Sequence, residues 1–554
     1  MTESIETAVV DRSVPGDRND EGRLVDASRG RLIAVLLAIV LLCEIVPFQY
    51  SVVGISVREI APSFPTSGDN VTWMMTIFGL VGGATMALFG KMADIWGKKR
   101  VLMGLSVLFL IGSVICAVTS SWTLFLVGRG LQATSLAVSV ACFGLVRDIM
   151  PRSWVPVTVG FIGTGAGIST IAAPLIGGVL TDNYSWRSIF WFLVVYMVLV
   201  IPLFIAVVPE TRLRVKEQLD VVGAILIGLG VAGLLIYVTE GSVWGWTAGS
   251  SLAYLTGGVI ILVAFWIWEH KASNPLVEPA LLRTPEVSMV LAIQFLGAIV
   301  LVGFGYAVAY MFQTSGAEVR QAILENAAAQ AKLPVSTISK AIQFKGDIGY
   351  ARGFSLLEFV LHITLWTSIA ALFFGPLGGV WVRRVGPRIP LIAGLVAMLC
   401  ASALLVPWHS TWQEQVAIGI IFLAGGGLFY TALPNIIIET VPRERQGISA
   451  GMLGVAGGFG IAFGTALLTA ILVRHPFQIV SLDGKGNKTV TDIPQVYTDT
   501  GFGHIYLFVC LGGSILALLL AVALKAGRTP ATGGLNPLET VSGSVQTSTA
   551  PHSR

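Results

Sequence analysis

Charged side chains are scarce in this chain: Asp, Glu, Lys and Arg make up only 12% of 554 residues, where a soluble domain carries about 25%. So little charge cannot cover a large water-exposed surface, which excludes an ordinary soluble enzyme or binding module. Cysteine is sparse too. Cys43, Cys116, Cys142, Cys400 and Cys510 all lie inside apolar runs with no paired spacing, so neither a disulfide framework nor a metal cluster is expected. No phosphate-binding glycine loop and no nucleophile and base set stands out. Nothing therefore points to ATP hydrolysis or another enzymatic reaction, and no cofactor or metal is expected.

What the chain does have is apolar length: 54% of it is hydrophobic and its mean hydropathy is +0.80. This predicts an all-α integral membrane protein. Apolar runs of about 18 to 28 residues, each able to cross the ~30 Å hydrocarbon core, predict about fourteen helices. They start near residues 32, 71, 101, 122, 155, 187, 220, 251, 287, 355, 389, 415, 447 and 503. The net charge of +4 is a topology signal, and no nucleic-acid partner is expected. Lys and Arg crowd the short loops of one side, whereas the short loops of the other hold only Arg58 and Arg187. The positive-inside rule then places both termini in the cytoplasm. The polar tails 1–30 and 527–554 lack the apolar surface to fold. Two long outer loops, 312–353 and 474–502, stand out, and Gly316 to Lys332 has the Ala, Glu and Gln content of a helix.

The densest charge lies in Gly90-Lys-Met-Ala-Asp94-Ile-Trp-Gly97-Lys98-Lys99-Arg100, a tight hinge between two apolar runs. Its glycines allow a sharp turn, Asp94 can face a helix N-terminus or a cation, and the basic cluster marks the inner face. Gly379, Arg383, Gly386 and Arg388 repeat the spacing of Gly90, Asp94, Gly97 and Lys99 at a constant offset. Two related halves with a site between them is how many secondary transporters are built. Because Arg383 stands where the first copy has Asp94, the two hinges are electrically unequal.

These residues resemble the major facilitator superfamily, and in particular its 14-helix drug:proton antiporters, over roughly residues 32 to 526. The first hinge is similar to the superfamily loop motif between helices 2 and 3. Arg129-x-x-Gln132 is similar to the buried Arg and Gln motif of helix 4, with Ala133 where members usually have Gly. Gly160, Gly163, Gly165, Gly167, Ala173, Pro174, Gly177 and Gly178 resemble the antiporter motif of helix 5, with Ala173 replacing a glycine. Ser185 to Trp191, Asp220-x-x-Gly223, Glu240-Gly241 and Trp244-Gly245-Trp246 resemble the 14-helix subfamily. The resemblance implies a six-plus-six core, 31–210 and 287–526, with an inserted helix pair and linkers at 211–286. It also implies a central cavity lined by helices 1, 2, 4, 5, 9, 10, 12 and 13.

Glu44 falls near the middle of helix 1, where an ionised carboxylate costs at least ~2.5 kcal/mol unless paired or hydrated. Proton or cation binding explains it; a structural hydrogen bond to a neighbouring helix is the alternative. Family members usually carry an Asp nearer Gln49. Arg129 either tunes a cavity carboxylate or is held structurally by backbone carbonyls. Glu358 and His362 share a helix face and form a second candidate proton site, unless Glu358 is merely solvated. Gln49, Gln132, Gln294 and Asn435 are candidate substrate contacts, although lone amides also bind neighbouring helices. Glu439, Arg147 and Asp148 sit at helix ends, where charge is ordinary.

The leading expectation is proton-coupled export of an amphipathic small molecule by alternating access in the plasma membrane. Glu44 is the expected proton carrier, Arg129 its electrostatic partner and Asp94 the gating residue. The glycines of helix 5 tilt the direction towards export by resemblance. The competing readings are a proton-coupled importer or siderophore carrier, and a non-transporting membrane receptor. Oligomeric state is not legible.

Overall fold

The computed structural model describes residues 22–530 apart from 57–59, 61–62, 65–72, 213, 215–217, 274, 276–278, 442–445 and 483–487. Helix α1, Arg29–Ile55, starts at Ser28, whose hydroxyl accepts from the Arg31 amide. That side-chain acceptor satisfies one of the four amides a helix start leaves open. Helices α2 (Trp73–Trp96) and α3 (Lys98–Val118) follow, separated by Gly97 alone. The helix carrying Arg129 is broken into α4 (Trp122–Ala133) and α5 (Leu136–Ile149). Helices α6 (Val155–Asn183) and α7 (Arg187–Val207) complete the first half.

Helices α8 (Val221–Trp244) and α9 (Gly249–Glu269) form a hairpin, with Asp220 capping α8 through the Gly223 amide at 2.8 Å. After a short α10 (Pro279–Arg283) the second half begins with α11 (Pro285–Gln313). Its other long helices are α14 (Leu356–Phe359) running into α15 (Leu365–Val385), then α16 (Arg388–Leu405), α17 (Trp412–Thr440) and α18 (Gln446–Leu472). Last come α19 (Asp499–His504) and α20 (Gly512–Ala523). A π-helical turn joins α14 to α15 at Val360–Thr364, and another joins α19 to α20 at Ile505–Leu511. Such wide turns interrupt the regular ladder and are common at working sites.

Among the described residues, eleven helices are long and apolar enough to cross a membrane. Three further long helices are α2, α6 and α8. Buried apolar side chains form two cores. One runs through the first half, from Leu32 to Val208. The other runs through the second half to Leu524 and takes in Ala224, Ile227 and Val231 of α8 and Phe265 of α9. The hairpin between the halves is thus packed with the second core.

The expectation of an all-α chain misses one element. The two long loops of the second half meet in a three-stranded antiparallel sheet, β1 (Ile342–Lys345), β2 (Pro476–Leu482) and β3 (Lys488–Tyr497), in the order β1-β2-β3. Ile342 stands opposite Ser481, and Val480 opposite Val490. Helix α12, Gly316–Ala331, lies in the first loop, as its composition predicts, capped by Ser315 and followed by α13 (Val335–Ala341). The Phe344 and Phe477 rings stack with centroids 5.7 Å apart, and the Tyr350 hydroxyl donates to Tyr497 O at 2.7 Å. These contacts make the two loops one cap.

Both tails are anchored where they are described. Arg23 donates to Met150 O at 2.7 Å, and the Arg388 amide donates to Gly527 O at 3.0 Å. Residues 531–554 lie outside the described residues.

Candidate functional site

The first hinge is one residue long. Gly97 has φ +102°, a region that costs an L side chain roughly 1–2 kcal/mol. It ends α2 and starts α3, and it has no side chain to cap the new helix. Glu210, just after α7, supplies that cap: its carboxylate accepts from the amides of Lys99 (3.1 Å), Arg100 (3.2 Å) and Thr211 (3.0 Å). A carboxylate there also meets the positive end of the α3 dipole.

Lys98 turns inward. Its amino group lies 3.1 Å from Asp94 Oδ1 and donates to Asp148 Oδ2 at 2.9 Å, with all three side chains buried. Asp148 is therefore no ordinary helix-end charge, which corrects the sequence reading. It joins α5 to the hinge across fifty positions, and Gly144 of α5 makes room, since a Cβ there would lie 2.6 Å from Lys98 Cε. Gly90 is buried within α2. Arg100 stays outside, its side chain 67% exposed and 3.9 Å from Glu210.

The second hinge repeats the backbone and not the charge. Gly386, φ +87°, ends α15. Arg383 donates across the molecule to Ser153 O at 3.4 Å, just before α6. Above it, a Cβ on Gly379 would collide with Pro156 O and Val157 Cα of α6. A Cβ on Gly160 would lie 2.6 Å from Gly375 O of α15, and one on Gly163 2.9 Å from Tyr430 O of α17. The glycines of α6 thus set a backbone-to-backbone seam between the halves, as small residues do in membrane helix packing.

The same helix holds Glu44. The Ser169 hydroxyl of α6 donates to the Glu44 carboxylate, and lies 3.2 Å from the Glu44 main-chain oxygen. Glu44 is 7% exposed, beside Pro47 within α1. Arg129 is held elsewhere. Its Nε donates to Met74 O at 3.1 Å, and its Nη1 donates to Gln49 Oε1 at 2.6 Å and Gln132 Oε1 at 2.7 Å. Gln132 in turn donates to Ser113 at 2.8 Å, and the guanidinium lies 5.0 Å from the Phe78 ring centre. Among the described residues no bond joins Arg129 to Glu44. The expected electrostatic pair is replaced by two separate couples, Arg129 with Gln49 and Glu44 with Ser169.

This arrangement has known relatives. The Major Facilitator Superfamily model matches residues 37–325 and 337–541. The chain belongs to the major facilitator superfamily. Multidrug resistance protein Stp of Mycobacterium tuberculosis is 26% identical over 426 residues, 76% of this chain and 72% of that protein. The tetracenomycin C resistance and export protein of Streptomyces glaucescens is 23% identical over 456 residues, 81% of this chain and 77% of that one. In fold, the chain resembles the human organic anion transporter MFSD10, with a TM-score of 0.56 at 13% identity, covering 89% of this chain and 97% of that one. The proton:xylose symporter XylE gives the same TM-score and identity, covering 92% and 99%. These relatives are transporters and not enzymes. This facilitator is accordingly a multi-pass membrane transporter of small molecules.

Several candidate residues of the facilitator make local structural contacts. The Glu358 carboxylate accepts from the Ser355 amide at 2.9 Å and caps α14, while His362 Nδ1 meets Glu358 O at 2.8 Å, so the two side chains do not pair. The His362 ring is held between Phe354 and Trp412, with centroids 5.1 and 5.0 Å away. Asn435 donates back to Thr431 O at 2.8 Å within α17. Gln49 and Gln132 serve Arg129. Gln294 packs on Gly457 of α18, where a Cβ would lie 2.7 Å from Gln294 Nε2. In α6, Gly177 O accepts from Thr181 at 2.9 Å, and Gly178 has open space around it. The surroundings of Gly167 and Pro174 lie outside the described residues. Sequence reasoning missed Asp148, Glu210 and Ser169, all polar groups beside glycine-rich or helix-end segments.

Proposed function

We propose that this transporter exports amphipathic small molecules in exchange for protons, by alternating access of two six-helix halves. Counting α2, α6 and α8 with the eleven spans gives fourteen, with the hinges and both termini on the cytoplasmic side of the plasma membrane. The observation that carries the reading is the Glu44 to Ser169 bond. Protonating Glu44 removes the charge that strengthens this bond, which weakens the tie between α1 and α6. Helix α6 also forms the seam with α15 and α17 through Gly160 and Gly163. A proton on Glu44 is thereby linked mechanically to the contact that must open and close. Asp94, Lys98 and Asp148 act as the latch at the hinge end of the first half.

Export is favoured over uptake by the names of the relatives, a multidrug resistance protein and a tetracenomycin C resistance and export protein. Proton drive is sufficient for this work, because one charge moving through 100 mV supplies ~2.3 kcal/mol, about a fiftyfold gradient of a neutral solute. The test uses inverted vesicles with an inward proton gradient and a fluorescent amphiphile. Accumulation that collapses with the gradient supports export; accumulation only in right-side-out vesicles would establish uptake instead.

A further inference from the structure

The two hinges differ in their charge balance. At the first, Lys98, Lys99 and Arg100 stand among three acids: Asp94 and Asp148 hold the Lys98 amino group, and Glu210 accepts from the amides of Lys99 and Arg100. At the second, the turn from α15 to α16 reads Arg383-Arg384-Val385-Gly386-Pro387-Arg388, with no acid in it.

The segment after α20 adds to this surplus. The Arg388 amide donates to Gly527 O at 3.0 Å, and the Arg388 guanidinium donates to Val522 O. A Cβ on Gly386 would lie 2.6 Å from Gly527 O, and one on Gly527 2.9 Å from Pro387 Cγ, so turn and tail lie backbone to backbone. That contact brings Lys525 and Arg528, both exposed, beside Arg384 and Arg388. Arg383 stands apart, because it reaches across to Ser153 O. Ile436 of α17 also borders Gly527, and Glu439 follows on the same helix. Counting that one acid against the four cations still leaves three positive charges.

Their depth decides what they meet. The flanking spans end at Val385 and Ala523, and the next begins at Arg388, so all four cations stand at one membrane boundary, the level of lipid headgroups. Apolar stripes run into the bilayer from that boundary. Ile389 and Val396 on α16, and Ile515, Leu519 and Val522 on α20, each share a helix face and are 40–62% exposed. Trp381, exposed near the end of α15, suits the same interface. A free anion can use only the charges; a phospholipid uses both features, its phosphate on the cations and its acyl chains along the stripes. Basic clusters beside membrane spans attract anionic lipid in this way.

We infer that Arg384, Arg388, Lys525 and Arg528 form a binding site for the headgroup of an anionic phospholipid. The bound headgroup holds the tail against the second hinge, the task that Glu210 performs at the first with a carboxylate of the protein itself.

The test uses the purified full chain in detergent, titrated with dioleoyl phosphatidylglycerol or dioleoyl phosphatidylcholine, and reads the first bound lipid by native mass spectrometry. A basic residue beside an anionic surface contributes about fivefold in affinity, so the wild type should bind phosphatidylglycerol roughly tenfold or more tighter than phosphatidylcholine. The double variant Lys525→Gln, Arg528→Gln should lose most of that preference while phosphatidylcholine affinity, which also reports folding, stays unchanged. The matched variant Lys99→Gln, Arg100→Gln removes the same charge at the first hinge and should keep the wild-type preference. Equal affinity of the wild type for the two lipids overturns the inference. So does equal loss from the two double variants, as diffuse positive charge alone would give. Displacement of phosphatidylglycerol by millimolar inorganic phosphate also overturns it, since a site for free anions would behave that way.

Discussion

Lys98 and Asp148 lie 2.9 Å apart in the protein interior, fifty positions apart in sequence, and Asp94 completes a triad of one cation between two acids. Removing Lys98 breaks its contacts with both buried acids at once, whereas removing one acid leaves Lys98 paired with the other. Lys98→Met should therefore destabilise by about 3–5 kcal/mol, the cost of breaking a buried ion pair, and Asp148→Asn by clearly less. Thermal unfolding followed by size-exclusion fluorescence checks the order. Equal losses would show that the triad is not held by Lys98.

Glu210 tests the other half of the hinge. It accepts from the Lys99 and Arg100 amides at the start of α3 and from the Thr211 amide, so Glu210→Ala should cost about 1–2 kcal/mol from capping and dipole together. Glu210→Gln keeps the acceptor and should recover part of that. Its ion pair with exposed Arg100 contributes little, and Arg100→Ala should leave the melting temperature within error.

Bulk at the seam should stop transport without unfolding the chain. Gly379→Ala and Gly160→Ala each place a methyl group against backbone of the opposite half, while Gly178→Ala meets open space. The first two should lower transport severalfold and raise thiol labelling of cysteines introduced at the hinge end; the third should transport like wild type. Equal transport by all three variants would remove the seam from the mechanism.

The cap should respond to pH through two histidines with opposite signs. Burial pushes His409 down, but the bond and charge of Asp499, 3.5 Å away, more than reverse this and raise it. A raised histidine contributes stability that is complete below its ordinary value near 6.5 and is lost as pH rises through the folded value. His475 is lowered by burial, with His504 and Arg474 adding to the effect; its ring meets His504 at 2.9 Å. Its contribution is lost as pH falls below 6.5. Asp499→Asn should flatten the alkaline loss of cap protection in hydrogen exchange, and His475→Gln the acidic loss.

Much of this was legible in the sequence because it is periodic or local. Apolar runs marked the spans, the glycines marked both hinges at Gly97 and Gly386, and composition marked α12. The electrostatics were not legible, because they are made by distant residues. Asp148 and Glu210 look like ordinary helix-end charges until folding brings them to Lys98 and the start of α3. Arg129 was visible, but its bond to Gln49, eighty positions away, was not. The sheet was obscured by an overwhelmingly helical context, although the alternation of Thr489, Val490 and Thr491 in β3 carries the period-two signal of a strand.

The central claim is that Glu44 carries the proton that moves the halves. The direct measurement compares wild type and Glu44→Gln in proteoliposomes, by proton-driven accumulation and by substrate exchange at equal pH. Loss of driven accumulation with exchange preserved is the predicted result. Full proton-driven accumulation by Glu44→Gln would contradict the account.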